Sequence, residues 1–543
     1  MTDIALLDAI LVLPDGQRLR GGLRIQGNRI GAIGTTAEIL AGCDASTRRI
    51  DLDGACLLPG FIDSHLHLLM AAEYLSNIGL RDARSLAEVA DRVARFAADH
   101  PERPWLVGHE WSYGYPDMPD GGFDRAVLDA VVPDRPVVLR SGMAHAAWVN
   151  SVALAIAGID ATTPDPDGGE IVRRPDGSPS GWLKEQAVKL VEPFVPAPDD
   201  AQVDLGLDLA LAEIARCGIT RVQSAAYDEG LLPHLAARQA RGALTCRVGL
   251  MAEMPPPVFS EARLAEIEAL RAAYDSPFLR LDGIKFFLDG VLESHTASMP
   301  QGYADRPGET GTLIWEPEAY RAAVSRAMGA GFQIWTHAIG SGAIALALDA
   351  CAAEAEASLR LRPRVEHVEI PYAADIARFA AIGAVACLQP VMVAPSDEWM
   401  GMGGVWAQRV RAEEHDRAFP VRSLLESGAA VAFGTDWPIV SLSPLRGIRK
   451  AVVRRSLEGG ESFVPEQAVT VAQAMHAYTA GGAYACLREA TEGAIALGRL
   501  ADLTILSADP QTVAPDTVQD IAVLMTIVDG RVVHDGRANT GAA

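Results

Sequence analysis

Short apolar runs that each stop on a histidine, a lysine or an aspartate constrain this chain more than any other feature. Phe332-Gln333-Ile334-Trp335-Thr336 stops on His337, Arg364-Val365-Glu366 on His367, and Ala430-Val431-Ala432-Phe433-Gly434-Thr435 on Asp436. Leu281-Asp282-Gly283-Ile284 stops on Lys285, and the run that begins at Leu57 ends in His65-Leu66-His67. Helical patterns such as Glu318 to Ala330 and Gly342 to Ser358 lie between the later runs. Alternation of strand and helix implies a parallel sheet. If parallel strands close into a barrel, reactive groups gather at their C-terminal ends. Six polar side chains from five segments could then share one centre.

The pair His65 and His67 shows the chemistry at its simplest. Side chains two apart on a strand face the same side, so both imidazoles can reach one point. Taken alone, His-x-His is as compatible with the exposed face of a strand as with a ligand pair. The other strand-end residues change that balance. Neutral imidazoles and carboxylates are good ligands for zinc and similar divalent ions.

These segments carry a resemblance. Pro59-Gly60-Phe61-Ile62-Asp63-Ser64-His65-Leu66-His67, Ile284-Lys285-Phe286-Phe287-Leu288-Asp289-Gly290, Thr336-His337-Ala338-Ile339-Gly340, Val365-Glu366-His367 and Gly434-Thr435-Asp436-Trp437-Pro438 follow one another in order. Ala144-His145-Ala146-Ala147-Trp148-Val149-Asn150 and Ala501-Asp502-Leu503 join them. Together they resemble the amidohydrolase superfamily, and within it the YtcJ-like group, amidohydrolase family 3, over nearly the whole chain. The resemblance implies an α/β fold: a metal-bearing (β/α)8 TIM-type barrel beside a small β-domain.

Strand patterns at both ends agree with that small domain. Ile4 to Val12, Leu23 to Gln26 and Arg29 to Ile33 open the chain, and Leu503 to Leu506, Ile521 to Val528 and Arg531 to His534 close it around an Asp529-Gly530 hairpin turn. We expect the two ends, residues 1–57 and 490–543, to pair into a β-sandwich, with the barrel over 58–489. Between about 81 and 198 the first strand's loop is far longer than an ordinary βα connection. It contains a helical pattern from Ser85 to Asp99, with Leu86, Val89, Val93 and Phe96 in phase. This reads as an inserted subdomain near the barrel mouth that shapes a substrate pocket; a stabilising decoration is the plainer alternative.

On the resemblance, His65, His67, Lys285, His337, His367 and Asp436 would hold one or two divalent ions, zinc above all. A bound ion lowers the pKa of its water to about 7 and polarises a carbonyl. Asp436 would take the proton from the attacking water and deliver it to the leaving nitrogen. Lys285 beside a dication is unfavourable when protonated. The family's solution is a lysine carboxylated by carbon dioxide that bridges two metals; a rim salt bridge, or a free amine acting as electrophile in a one-metal site, remain open. His145 could donate to substrate, or be satisfied inside the inserted region. His295 is expected to line the pocket with Trp437, Phe286 and Trp111. Trp315, Trp335, Trp399 and Trp406 also fall near predicted loops or strand ends, and an apolar or aromatic-bearing substrate suits such a lining. Packing is the ordinary explanation for any single one of them. The family often carries an aspartate after His-Ala-Ile-Gly, where this chain has Ser341-Gly342.

The expected activity is hydrolysis of a C–N bond in a small amide, N-acyl or N-formyl compound by metal-activated hydroxide. An ester, carbamate or cyclic amide, a deaminase or decarboxylase on the same scaffold, and a ligand-binding barrel without turnover are the alternatives. Composition limits the partners. A formal charge of -23 should repel nucleic acid and anionic membranes. Seven cysteines, at positions 43, 56, 217, 246, 351, 387 and 486, contain no Cys-x-x-Cys. This argues for reduced thiols in a cytoplasmic protein rather than a disulfide framework. Met1-Thr2-Asp3 lacks the basic start of a secretory signal, and no run approaches the ~20 apolar residues of a membrane span. The resemblance implies a homodimer acting on a small molecule.

Overall fold

The computed structural model describes residues 3–142, 145–393, 404–457 and 459–537. Eight strands form one parallel sheet: β1 (Phe61–Leu66), β2 (Ile219–Ala225), β3 (Arg247–Glu253), β4 (Leu279–Phe287), β5 (Gln333–Ala338), β6 (Arg364–His367), β7 (Val385–Leu388) and β8 (Ala430–Phe433). Each strand pairs in parallel with the next. The seam between β8 and β1 is drawn together just beyond the strands. Asp436 N donates to His65 O at 2.6 Å, and His67 N donates to Trp437 O at 2.8 Å. Gly434 permits this approach, because a Cβ there would lie 2.5 Å from His65 N.

These strands read as continuous apolar runs because both faces are covered. Every residue of β1, β2, β3, β5, β6 and β7 is buried. Period two then sorts β4: Lys285 turns one way and Phe286 the other. Phe286 packs edge-on against Trp315 and against Tyr320 of the helix Pro317–Gly329, at 5.6 and 5.7 Å. That helix begins where the pattern placed it, with proline in its first turn. The single helix expected from Gly342 to Ser358 is instead two, Ser341–Ala353 and Ala355–Leu361, broken at Glu354 (φ -110°, ψ 46°).

Strands from both chain ends share one hydrogen-bonded, eight-stranded sheet. Leu503–Leu506 runs antiparallel to Cys56–Pro59 and joins the two halves. Leu6, Leu11, Ile25, Leu57, Ile505 and Ile527 bury their side chains in its common core. Asp529 and Gly530 turn the last hairpin with φ of 54° and 72°, as an Asp-Gly turn of this kind requires. The sheet is tied to the starts of the barrel strands. Arg247, opening β3, donates to Asp502 at 2.6 Å and to Asp529 at 2.9 Å, and Arg221 of β2 holds Glu492 through two bonds of 2.6 and 2.8 Å.

Residues Leu69–Ala210 form a second compact unit. Its six-stranded sheet runs in the order Gly169–Arg173, Pro179–Glu185, Ala146–Val149, Val137–Ser141, Leu106–Trp111, Ile78–Gly79. The last three strands are parallel and the others antiparallel. Helix Leu86–Asp99 is capped by Ser85, whose hydroxyl accepts from Glu88 N, and it buries Leu86, Val89, Val93 and Ala97. Phe96 packs partly buried against the same cluster. Among the described residues no helix is long and apolar enough to cross a membrane.

Candidate active site

The C-terminal ends of β1, β6 and β8 bring three of the expected residues together. Ligand atoms of His65, His367 and Asp436 all lie within 4.8 Å of one another, in the buried interior. His65 Nε2 is 3.4 Å and His67 Nε2 is 3.0 Å from Asp436 Oδ1. The His65 and His367 rings are 5.0 Å apart. The His337 ring, from β5, is 4.5 Å from that of His367. Lys285 of β4 is fully buried beside them, its Nζ 5.0 Å from the centre of the Phe287 ring. His367 and Asp436 hold left-handed backbone, φ 73° and 61°. Such conformations cost energy in a non-glycine residue and cluster at functional sites.

Hydrogen bonds orient each ring. His65 Nδ1 is 2.5 Å from Glu366 Oε2, so the proton on Nδ1 points at that carboxylate and Nε2 is left with its lone pair. His367 Nδ1 meets Gln389 Oε1 at 3.0 Å, which frees its Nε2 likewise. His337 Nε2 lies 3.2 Å from Gly290 O, which leaves Nδ1 as the open nitrogen. Burial keeps all three imidazoles neutral: His65 falls to about 4, with the Lys285 charge adding to the effect; His367 falls to about 3; and His337 falls well below its ordinary value. Burial also pulls Lys285 down to about 8, against the attraction of Glu366 and Asp436. For Asp436, burial works upward, but the His67 hydrogen bond and the flanking rings outweigh it and hold the carboxyl below its usual range.

This donor set fits a divalent ion. His65 Nε2 and Lys285 Nζ are buried and have no hydrogen-bond partner among the described residues. Leaving such groups unmade costs on the order of 1–3 kcal/mol each. A cation held by neutral imidazoles and a carboxylate satisfies the lone pairs that the protein leaves open.

Each of the remaining expected residues has contacts of its own. His295 Nε2 pairs with Asp305 at 3.1 Å and its ring packs on Tyr303. Phe286 faces the helix layer, on the side of β4 opposite Lys285. Trp437 is buried, and its backbone carbonyl accepts from His67 N. Within the unit Leu69–Ala210, Trp111 is core: its Nε1 donates to Leu139 O at 2.8 Å and its ring meets Phe123 at 4.2 Å. His145 in the same unit is exposed and sits 3.0 Å from Glu185. Trp335 is buried beside His65, Trp315 packs on Phe286, and Trp406 donates to Glu369. Trp399 lies outside the described residues.

Sequence reasoning passed over several residues that shape the centre. Glu366 and Arg364 stand two apart on β6, a signal as plain as His-x-His. Asp289 accepts from Ser298 N, Ile339 N and Gly340 N at 2.9, 3.1 and 2.9 Å, and burial raises it to about 7. A carboxylate at the His337-Ala338-Ile339-Gly340 turn is thus present after all, supplied by the preceding strand's loop instead of the position held by Ser341. Tyr227, just past β2, is 63% exposed. Ala226 and Tyr227 both have left-handed backbone, φ 78° and 60°. The Tyr227 ring stacks on Phe287 at 5.9 Å, and Phe287 in turn meets His337 at 5.6 Å.

Eight parallel strands with imidazoles, a lysine and a carboxylate gathered at their C-terminal ends define a (β/α)8-barrel enzyme. The amidohydrolase family model matches residues 48–534, and the chain belongs to that family. It is a hydrolase acting on carbon–nitrogen bonds. YtcJ of Bacillus subtilis (strain 168) is 31% identical over 90% of this chain and 91% of its own length. N-substituted formamide deformylase of Arthrobacter pascens is 28% identical over 98% of both chains. The crystal structure of an uncharacterized metal-dependent hydrolase from Pyrococcus furiosus superposes with a TM-score of 0.74 at 24% identity, covering 94% of this chain and 100% of that one; this likeness concerns the fold.

Proposed function

We propose that the chain hydrolyses a C–N bond of a small amide, N-acyl or N-formyl compound with the help of a divalent metal, zinc being the first candidate. One observation carries this reading: the unpartnered Nε2 of His65 and Nζ of Lys285 stand in a buried cluster with His367 and Asp436. When bound, the ion supplies Lewis acidity, lowering the pKa of its water to about 7 and polarising a carbonyl. His65, His67, His337 and His367 would hold it, and burial keeps His65, His337 and His367 neutral. Asp436, kept ionised, accepts the proton of the attacking water and returns it to the leaving nitrogen. Lys285, with its amine pulled down to about 8, loses its proton readily enough to add to carbon dioxide as a carbamate, the form that would hold two ions instead of one. The deformylase relative supports an N-formyl substrate, and the Tyr227–Phe287 pair supports a flat apolar substituent.

The same reading takes the terminal sheet to curl over its shared core as a sandwich, and the protein to be a cytosolic homodimer. All seven cysteines are free thiols, which suits a reducing compartment. The test is metal analysis of the purified protein with hydrolysis of a panel of N-acyl and N-formyl aromatic amines. Stoichiometric metal with chelator-sensitive release of amine is expected. Turnover that survives complete removal of metal would sink the reading.

A further inference from the structure

A buried ion pair lies immediately behind the first histidine. Glu366 receives Arg364 through two bonds, Nε to Oε1 at 2.8 Å and Nη2 to Oε2 at 2.9 Å. Its Oε2 also faces His65 Nδ1 at 2.5 Å. Arg364 is itself fixed from three further sides. Nη2 donates to Ser64 O at 2.6 Å and approaches Cys387 Sγ at 3.1 Å, and the guanidinium carbon lies 3.3 Å from the centre of the Trp335 ring. Trp335 in turn stacks beside His65 at 6.2 Å. Arg364 therefore ties β1, β5, β6 and β7 together at one point, and both side chains of the pair are fully buried.

We infer that Arg364 and Glu366 are positioning residues that set the metal affinity of the centre by fixing the ring plane and proton of His65; this rests on the metal-dependent reading above. A histidine that carries its proton on Nδ1 offers Nε2 to a metal, and an acceptor on Nδ1 both chooses that tautomer and stops the ring from turning. Glu366 is that acceptor, and Arg364 holds Glu366 still. The rival role, Glu366 as a ligand grouped with His65 and Cys387, has geometry in its favour, since their atoms also lie within 4.8 Å of one another. Occupancy argues against it. Both oxygens of Glu366 are already engaged, and the Cys387 sulfur already receives Arg364. A metal there would have to displace a bidentate guanidinium.

The discriminating variant removes both charges together, Arg364→Met with Glu366→Leu. No buried ion is left unpaired, so the fold is retained, and His65 loses its acceptor. Zinc affinity is measured on metal-stripped protein against a chromophoric chelator, and the His65 tautomer by nitrogen-15 NMR of histidine-labelled, metal-free protein. The double variant should melt near the wild type, bind zinc about 10–100-fold more weakly and lose the Nδ1–H signature. Glu366→Gln, whose amide oxygen can still accept from Nδ1, should fall between the two. Affinity within about twofold of wild type in a folded double variant, or an Nε2–H tautomer in the wild-type apoprotein, would overturn the inference. Wild-type protein that shows the Nδ1–H tautomer but binds no zinc would instead overturn the metal-dependent reading and leave the orienting role intact.

Discussion

The barrel sheet and the sheet of the Leu69–Ala210 unit both carry histidines on parallel strands, and the two sheets use them differently. His65, His337 and His367 end strands that circle one axis, so their rings come within 5 Å of a neighbour. His109 lies within Leu106–Trp111 in an open sheet, where strands lie in a row about 4.8 Å apart and only cross-strand neighbours meet. Its register partner is Arg140, and its ring stacks on Tyr74 at 4.2 Å. Burial makes both kinds of histidine neutral; His109 falls to about 3, with Arg140 adding to the effect. A depressed imidazole is therefore no mark of the centre by itself. Closure of the sheet, which lets distant strands face one another, makes the difference.

Three measurements press on that contrast, the largest effect first. Asp436→Asn keeps the shape of the barrel centre but removes its proton carrier. It should cost about 10³-fold in kcat, within the range of general acid–base catalysis, while bound metal stays stoichiometric; unchanged turnover would show that convergence on the axis is not what makes Asp436 matter.

His109 reports through stability instead. Its folded value of about 3 lies below the ordinary 6.5, so between these limits the unfolded chain binds the extra proton and folding weakens as pH falls. From pH 7.5 to 5.5 this site should cost about 1.4 kcal/mol, and below about pH 3 the loss levels off. His109→Leu should flatten the fall in unfolding free energy, measured by denaturant titration across that pH range, by that amount; an unaltered slope would mean that His109 titrates normally.

The smallest effect belongs to Tyr227. Tyr227→Ala removes one ring from the stack on Phe287, and aromatic pairs are worth about 0.5–1.5 kcal/mol. KM for aromatic N-acyl substrates should rise about 2–10-fold with kcat little changed, while saturated-ring analogues should respond less. Equal losses on both would break the link between the Tyr227–Phe287 pair and substrate recognition.

Much of the barrel could be read directly from the chain. The runs ending in His65, Lys285, His337, His367 and Asp436 are local signals, as are the Ser85 cap and the Asp529-Gly530 turn, because each depends on residues a few positions apart. Asp289 was legible as a residue but not as a clamp, since its three backbone donors come from two loops. Glu366 was read past for the same reason: it matters through His65, 301 positions away.

Residue order by itself determined the strand and helix types and the polar residue at each strand end, because these follow from periodicity and short-range geometry, and it carried the resemblance to the family. Only the tertiary structure decided that Phe286 faces the helices while Lys285 faces inward, that Trp111 is core, and which nitrogen of each imidazole is left open. Those choices rest on hydrogen bonds and burial between segments as much as 301 positions apart, and strand spacing and closure, rather than local preference, set which of those segments meet.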